Sequence, residues 1–317
     1  MKVLVTGGAG FIGLRTVKKL VERGHQVTVM SRSPRLSDPD LADKVGVVGG
    51  DMRFFPDVMK AVTQSRAETI IHVAYALTAA GEADPHWAIE VNVLGTNNFY
   101  EAARLVGVRR VVFCSSIAAY CPQDMYGDRL VTEDENLLRS ASIYGQTKAL
   151  NEFMAAKFEA KYGLETPAVR ISAVYGSGRE ARGVTAWASQ MVAAAVAGEP
   201  VKIALRADQE ANFIYVEDSA EQLVRLALQE KLDHRLFNSG GVTSTPEAFA
   251  SIVKKYYPEA RISFDENAPR WPYPHLIDGS RLEREIGFKV RSAEDGLLEQ
   301  INMERAARGL AAQEKMI

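Results

Sequence analysis

Two cysteines, Cys114 and Cys121, are all that the 317 residues contain. They are too few for a disulfide framework and lack metal-ligand spacing with any histidine pair. The five histidines are scattered, so no metal is expected. Lysine and arginine together number 38 against 40 aspartates and glutamates, a formal charge of −2. Without a basic excess, a nucleic-acid or anionic-membrane surface is disfavoured. No apolar run approaches the roughly 18 residues that span a bilayer. The first strand pattern begins at Lys2, which leaves no room for a cleaved leader. Internal repeats and low-complexity tracts are also missing. The composition is that expected of a soluble chain in a reducing, cytoplasmic compartment. Its 47% hydrophobic content is ample for a sizeable core, over a length that suggests about two domains.

What is present begins at once. An apolar strand from Lys2 runs into Thr6-Gly7-Gly8-Ala9-Gly10-Phe11-Ile12-Gly13 and then into a helical pattern. At these offsets Gly7 permits the tight turn, Gly10 lets the backbone approach a pyrophosphate, and Gly13 lets helix and strand pack closely. The free N–H groups and positive end of the helix then face phosphate. A dinucleotide site is expected here.

The first half alternates strand-like runs (2–6, 26–30, 45–49, 69–73, 110–114, 166–171) with helical patterns near 12–23, 55–64, 86–106 and 143–162. That alternation is the signature of a parallel sheet covered on both faces. From Val174 the rhythm changes, and proline and aromatic residues cluster at Pro269–Pro274. Phe213–Gln229 reads as strand then helix, as though the chain re-enters the sheet, with Leu236–Asn238 as a last strand. The expected division is a dinucleotide-binding domain over 1–172, re-entered at 212–240, and a smaller C-terminal substrate-binding lobe within 173–317.

Two local patterns carry chemistry. Tyr144-Gly145-Gln146-Thr147-Lys148 sets a tyrosine and a lysine four apart on one helix face. A phenol titrates near 10 and is a poor acid–base group at neutral pH. A nearby ammonium and an oxidised nicotinamide would favour phenolate, and Lys148 could also hold ribose hydroxyls. Phe113-Cys114-Ser115-Ser116 closes an apolar strand, and a hydroxyl at a parallel strand's carboxyl end sits where ligands bind in open α/β sheets. Such a hydroxyl can donate to an oxygen that gains charge in hydride transfer.

With these motifs the chain resembles the extended short-chain dehydrogenase/reductase family, which includes sugar-nucleotide epimerases and plant dihydroflavonol reductases. Further matches are Gly50-Asp51-Met52, His72-Val73-Ala74, Asn92–Thr96, Arg170–Gly178 and Phe213–Asp218. The resemblance implies a doubly wound parallel-sheet Rossmann fold of the α/β class. It implies Tyr144 as the acid–base residue, Lys148 as its partner and Ser116 as the carbonyl-binding hydroxyl, with Ser115 the one-residue alternative. Asp51 and Met52 become adenine contacts, and Asn92 is expected to stabilise the middle helix near the site. Further cofactor contacts are implied for Phe11, Ile12, Val73, Ala74 and Tyr75, and for Asn92, Ile171 and Val174. A homodimer through helices 86–106 and 143–162 is implied as well.

Met30-Ser31-Arg32 follows the second strand, where users of NAD carry an acidic residue that accepts from the ribose hydroxyls. A hydroxyl and a guanidinium suit a 2′-phosphate better, so NADP(H) is the favoured cofactor and NAD(H) the alternative. Departures from the family bear on substrate. Sugar-nucleotide members carry Arg-Asp where this chain has Ala211-Asn212, an asparagine where it has Ala173, and dehydratases an Asp-Glu where it has Ile117-Ala118. Arg179, Arg182 or Arg206 could substitute for the missing diphosphate contact; Arg179 and Arg182, in one loop, could instead hold a carboxylate, although both read as solvated. Tyr75, Leu77, Ile117, Trp187 and Met191 are candidates for an apolar cleft, with Thr185 a polar contact. The expected reaction interconverts a ketone or aldehyde with an alcohol on a small, non-nucleotide substrate. The alternative is a nucleotide-sugar epimerase or dehydratase with tightly bound NAD(P).

Overall fold

The alternation in β1 (Lys2–Thr6) sends Val3 and Val5 into one core and Leu4 into another, on opposite faces of a sheet. Burial on both faces is why parallel strands read as near-continuous apolar runs. The computed structural model describes residues 1–33, 36, 38–135, 139–179 and 185–316. After β1 come β2 (Gln26–Ser31), β3 (Val45–Gly49), β4 (Thr69–His72), β5 (Arg110–Ser116) and β6 (Ala168–Ile171). Six short strands follow: β7 (Ala173–Tyr175), β8 (Val201–Ile203), β9 (Ala211–Tyr215), β10 (Leu236–Asn238), β11 (Val242–Ser244) and β12 (Ile262–Phe264).

Seven strands form one sheet in the order β10-β6-β5-β4-β1-β2-β3, with every pair parallel. The order reverses between β1 and β4, and the carboxyl ends flanking that switch point are where open α/β sheets bind ligands. Leu236–Asn238 joins this sheet at its edge, beside β6. The Phe213 strand, β9, pairs instead with β7 and β11 in a separate three-stranded sheet, while β12 and β8 form a two-stranded one.

Helices α1 (Phe11–Glu22), α2 (Phe55–Ser65), α3 (Thr78–Ala83), α4 (Pro85–Ile89), α5 (Gly95–Val106) and α6 (Ile143–Tyr162) belong to the first half. Later come α7 (Ala186–Ala197), α8 (Val216–Leu228), α9 (Pro246–Tyr256), α10 (Ser280–Ile286) and α11 (Ala293–Ala306). Helix α8 lies beside α1 against β4 and β5, so it covers the main sheet although the strand before it does not join. Among the described residues, no helix is long and apolar enough to cross a membrane.

The expected single helix over 86–106 is broken into α4, a π-helical stretch at Glu90–Leu94, and α5. The cause is side-chain competition. Thr96 Oγ1 donates to the Asn92 carbonyl at 2.7 Å, and Asn151 Nδ2 donates to the same oxygen at 2.7 Å. Insertion of side chains into the backbone ladder widens the turn, and such bulges cluster at functional sites.

Candidate active site

The turn after β1 is held by contacts that only glycine allows. Gly7 has φ +66°, and a Cβ there would come within 2.9 Å of the Ala74 amide nitrogen. A Cβ on Gly13 would sit 2.1 Å from the Gly7 carbonyl oxygen, so α1 closes directly onto the turn. Helix α1 begins at Gly10 with no side-chain cap and no acidic residue in its first turn. Its leading N–H groups are therefore available to an anion. Thr6 ties the switch point together: its Oγ1 accepts from the Val73 and Ala74 amides, each at 3.1 Å, and contacts His72 Nδ1 at 2.8 Å. Burial pushes His72 down to about 3, which keeps the imidazole neutral.

A cavity of about 530 Å³ runs from this turn along the carboxyl ends of the strands. Gly7, Gly10, Phe11, Ile12 and Gly13 line its middle, and Val73, Ala74, Tyr75 and Leu77 line one wall. Ser31, Arg32, Asp51 and Met52 lie at one end, with Tyr144, Lys148 and Arg179 also in its walls. Arg32 is exposed and pairs with no carboxylate among the described residues. Asp51 is committed elsewhere: Arg53 Nη2 donates to its Oδ2 at 2.8 Å, and that hydrogen bond holds the carboxyl below its ordinary range. A glycine-lined cradle and an uncapped helix N-terminus fit a dinucleotide.

Helix α6 opens on the Ser142 cap, whose Oγ accepts from the Gly145 amide at 3.1 Å. A Cβ on Gly145 would lie 2.0 Å from the Ala118 carbonyl, so the helix start packs hard against the turn after β5. This fixes Tyr144 beside Ser116. The two serines of that strand part company. Ser115 Oγ donates to Glu152 Oε1 at 2.5 Å, inside a buried pair in which Arg170 Nη2 donates to Glu152 Oε2 at 2.6 Å. Ser116 lies against the Tyr144 phenol, where its hydroxyl favours the ionised form.

Lys148 is only 2% exposed. Its Nζ donates to the Cys114 carbonyl at 2.5 Å and sits 3.4 Å from the centre of the Tyr75 ring, a close cation–π contact. Burial pushes this lysine down to about 8, with the Cys114 thiol and the Glu152 carboxylate opposing the shift. The expected depression of the Tyr144 phenol by Lys148 does not occur here. Tyr144 is partly open to the cavity, but its hydroxyl end is shielded, and burial drives its pKa well above the ordinary tyrosine value. Lys148 spends its charge on the Cys114 carbonyl and the Tyr75 face, 5.5 Å from the Tyr144 ring centre. Ser116 and Arg179 are the groups that pull the phenol the other way.

Several expected contacts lie elsewhere. Asn92 is fully buried behind the wall, its amide bridging Ala76: Oδ1 accepts from Ala76 N at 2.8 Å and Nδ2 donates to Ala76 O at 3.1 Å. Ile171 and Val174 pack in the core instead of lining the cavity. Trp187 and Met191 join Phe213 and Phe249 in the same core, and Ile117 belongs to a small cluster with Tyr120 and Val131. Thr185 is buried, donating to the Val174 carbonyl at 2.6 Å. Arg206 is engaged by Asp208 at 3.0 Å and by the Glu266 carbonyl, while Arg182 lies outside the described residues. Arg179 is not the solvated residue expected. It lines the cavity with its guanidinium carbon 5.1 Å from the Phe11 ring centre. Trp87 and Val91 are further wall residues, from α4 and the π-helical stretch, whose inward placement has no counterpart in linear spacing.

A doubly wound parallel sheet, with a dinucleotide-sized cavity at its switch point and a Tyr-x-x-x-Lys pair in the wall, defines a nicotinamide-dependent enzyme. The chain belongs to the NAD dependent epimerase/dehydratase family, whose model matches residues 3–240. It is 30% identical over 263 residues to a UDP-glucose 4-epimerase of Mycolicibacterium smegmatis, covering 80% of this chain and 82% of that one. It is 26% identical over 295 residues to the mitochondrial L-threonine 3-dehydrogenase of Bos taurus, covering 91% and 78%. The crystal structure of a Thermus thermophilus UDP-glucose 4-epimerase complexed with NAD superposes with a TM-score of 0.85 at 25% identity, over 97% of this chain and 100% of that one. The protein is therefore a nicotinamide-dependent oxidoreductase or epimerase.

Proposed function

We propose that the protein is an NADP(H)-dependent oxidoreductase that interconverts a ketone or aldehyde with an alcohol on a small, non-nucleotide substrate. The observation that carries this reading is the closure of the chain at Ala211–Asn212. Sugar-nucleotide members of the resembling family place a diphosphate-gripping arginine there. Here both residues are buried, and Asn212 Oδ1 accepts from Ser172 Oγ at 2.7 Å. A diphosphate deprived of its guanidinium loses a charge-assisted contact worth about 1.5–3 kcal/mol. The bovine relative is named for the oxidation of L-threonine, which carries no nucleotide.

When bound, the nicotinamide supplies or accepts a hydride at the substrate carbon. In this reading the amides at the start of α1 hold the cofactor diphosphate, and Gly7, Gly10 and Gly13 keep the backbone clear for it. Ser31 and Arg32 take the 2′-phosphate, and Asp51 and Met52 border the adenine. Tyr144 gives its proton to the carbonyl oxygen in reduction and recovers one from the hydroxyl in oxidation. Ser116 donates a hydrogen bond to the same oxygen. Lys148, fixed by Cys114 and Tyr75, orients the ribose. Residues 1–172 with 212–240 serve the cofactor, and the remaining segments cover the substrate. Leu150 and Phe153 on α6 and Leu94 before α5 are exposed, which supports a homodimer through these helices. Two buried, unpaired thiols, Cys114 and Cys121, accord with the cytoplasm.

Two measurements test this. Purified protein is assayed for NADPH oxidation across small aldehydes and ketones, and for interconversion of UDP-glucose and UDP-galactose. Stoichiometric bound cofactor with sugar-nucleotide conversion and no net NADPH turnover selects the epimerase. In the second, Arg32→Ala should lower kcat/KM for NADP by about 10- to 100-fold and leave NAD nearly unchanged. A wild type that already prefers NAD, or an unchanged ratio, removes the NADP assignment.

A further inference from the structure

Phe11, at the first turn of α1, has two guanidinium groups near its ring: Arg15 and Arg179 both lie 5.1 Å from the ring centre. Arg15 is fully engaged, donating to the Phe11 and Ser177 carbonyls and facing Glu217 at 3.5 Å. Arg179 is not. Its Nε is buried without a hydrogen-bond partner, and no carboxylate pairs with it among the described residues. Burial works against its charge, and Tyr144 favours it. A desolvated guanidinium with no counter-ion is a standing cost unless a ligand supplies the anion.

We propose that Arg179 is the anion-binding residue of the catalytic cavity, so that the substrate is a carboxylate-bearing hydroxy or oxo compound. The inference rests on the oxidoreductase reading above and narrows its substrate class. Location selects the substrate over the cofactor as the source of the anion. Arg179 lines the same cavity as Tyr144 and Lys148. The cofactor diphosphate has the free amides of α1. Charge selects a carboxylate over a phosphate ester. Of the cations lining the cavity, Arg32 lies beyond the glycine turn, and Lys148 is held by the Cys114 carbonyl and the Tyr75 face. One unpaired guanidinium matches one negative charge, and its planar edge suits a bidentate carboxylate.

The test uses the full-length enzyme with NADP and short 2- and 3-hydroxy acids, each beside its methyl ester. Calorimetric binding of the acids to the enzyme–NADP complex is measured along with turnover, in wild type, Arg179→Lys and Arg179→Gln. Arg179→Gln should weaken acid binding and kcat/KM for acids by about 10- to 100-fold. The loss on the esters should be at least about tenfold smaller than on the acids, NADP affinity should hold, and Arg179→Lys should recover part of the loss, as expected of a charge-assisted contact. Equal losses on acid and ester, or a loss of NADP affinity larger than that of acid affinity, overturn the proposal. So does a wild-type complex that binds none of the acids. Acid binding that depends on Arg179 without redox turnover would keep this inference and remove the oxidoreductase reading. Turnover of neutral ketones with no response to Arg179 would do the reverse.

Discussion

Replacing Lys148 by methionine should make the protein more stable while it destroys turnover. The lysine is buried, and its pKa falls from 10.5 to about 8 because burial disfavours the charged form. At about 1.4 kcal/mol per pH unit, keeping that ammonium charged at pH 7 costs on the order of 3 kcal/mol. That figure is net of the two contacts that favour the ammonium, the hydrogen bond to the Cys114 carbonyl and the Tyr75 cation–π contact. Methionine has similar length and keeps a favourable sulfur–aromatic contact. Removing the charge should therefore gain up to about 3 kcal/mol at pH 7.

The pH dependence separates this account from general repacking. The unfolded lysine holds its proton up to about pH 10.5, whereas the native one releases it near 8. Between those values the unfolded chain binds more protons, so the lysine's contribution to stability rises with pH. Urea denaturation of wild type and Lys148→Met from pH 7 to 10 should show the variant ahead at pH 7 and losing its lead above pH 8. Tyrosine ionisation affects both proteins and cancels in the difference. A variant clearly less stable than wild type at pH 7, or a gap that does not move with pH, would refute the assignment of Lys148 as an isolated buried charge.

Tyr144→Phe should cut kcat by about 10²-fold or more, the scale of a positioned acid–base group, while NADP affinity measured by fluorescence titration changes little. A near-wild-type rate would remove Tyr144 from the proton transfer. Phe153→Glu should convert a homodimer to monomers in light scattering, because Phe153 is 59% exposed on α6 and a carboxylate there opposes burial. A wild type that is already monomeric at micromolar concentration removes the interface.

The fold was legible where its constraints are local. Alternating Val3, Leu4 and Val5, followed by glycines whose Cβ would strike Gly7 O or Ala74 N, leave few other arrangements. Helix α6 spans Ile143–Tyr162, bounded by the Ser142 cap and left-handed Gly163, both readable signals. Strand β6 starts at Ala168 instead of residue 166, since Pro167 can accept from Phe113 N but has no N–H to donate. Tertiary partners hid the rest. The π-helical stretch depends on Asn151 reaching Asn92 from 59 residues away. The separation of Ser115 from Ser116 depends on Glu152. Lys148 could be paired with Tyr144 from spacing, but its cation–π seat on Tyr75 comes from the end of β4. Arg179 lies in a loop whose sequence reads as solvated, and only its approach to Phe11 brings it inside.

An oxidoreductase and an epimerase of this fold need the same interior, because both act through a nicotinamide, a phenol and a hydroxyl. They differ in how far from the reacting carbon the substrate must be gripped. A nucleotide sugar places its diphosphate beyond the sugar ring and needs positive charge there. In this chain the cation considered for that region, Arg206, is tied to Asp208, which also takes Arg270 at 2.7 Å. The Asn212 amide is consumed by Ser172 and by Thr243, and a Cβ on Gly241 would strike it at 2.5 Å. The Arg179 guanidinium, unpaired among the described residues, lies instead in the cavity wall. Under the proposal above, a guanidinium in the cavity wall holds a short anion, and the length of the substrate follows from where the cation stands.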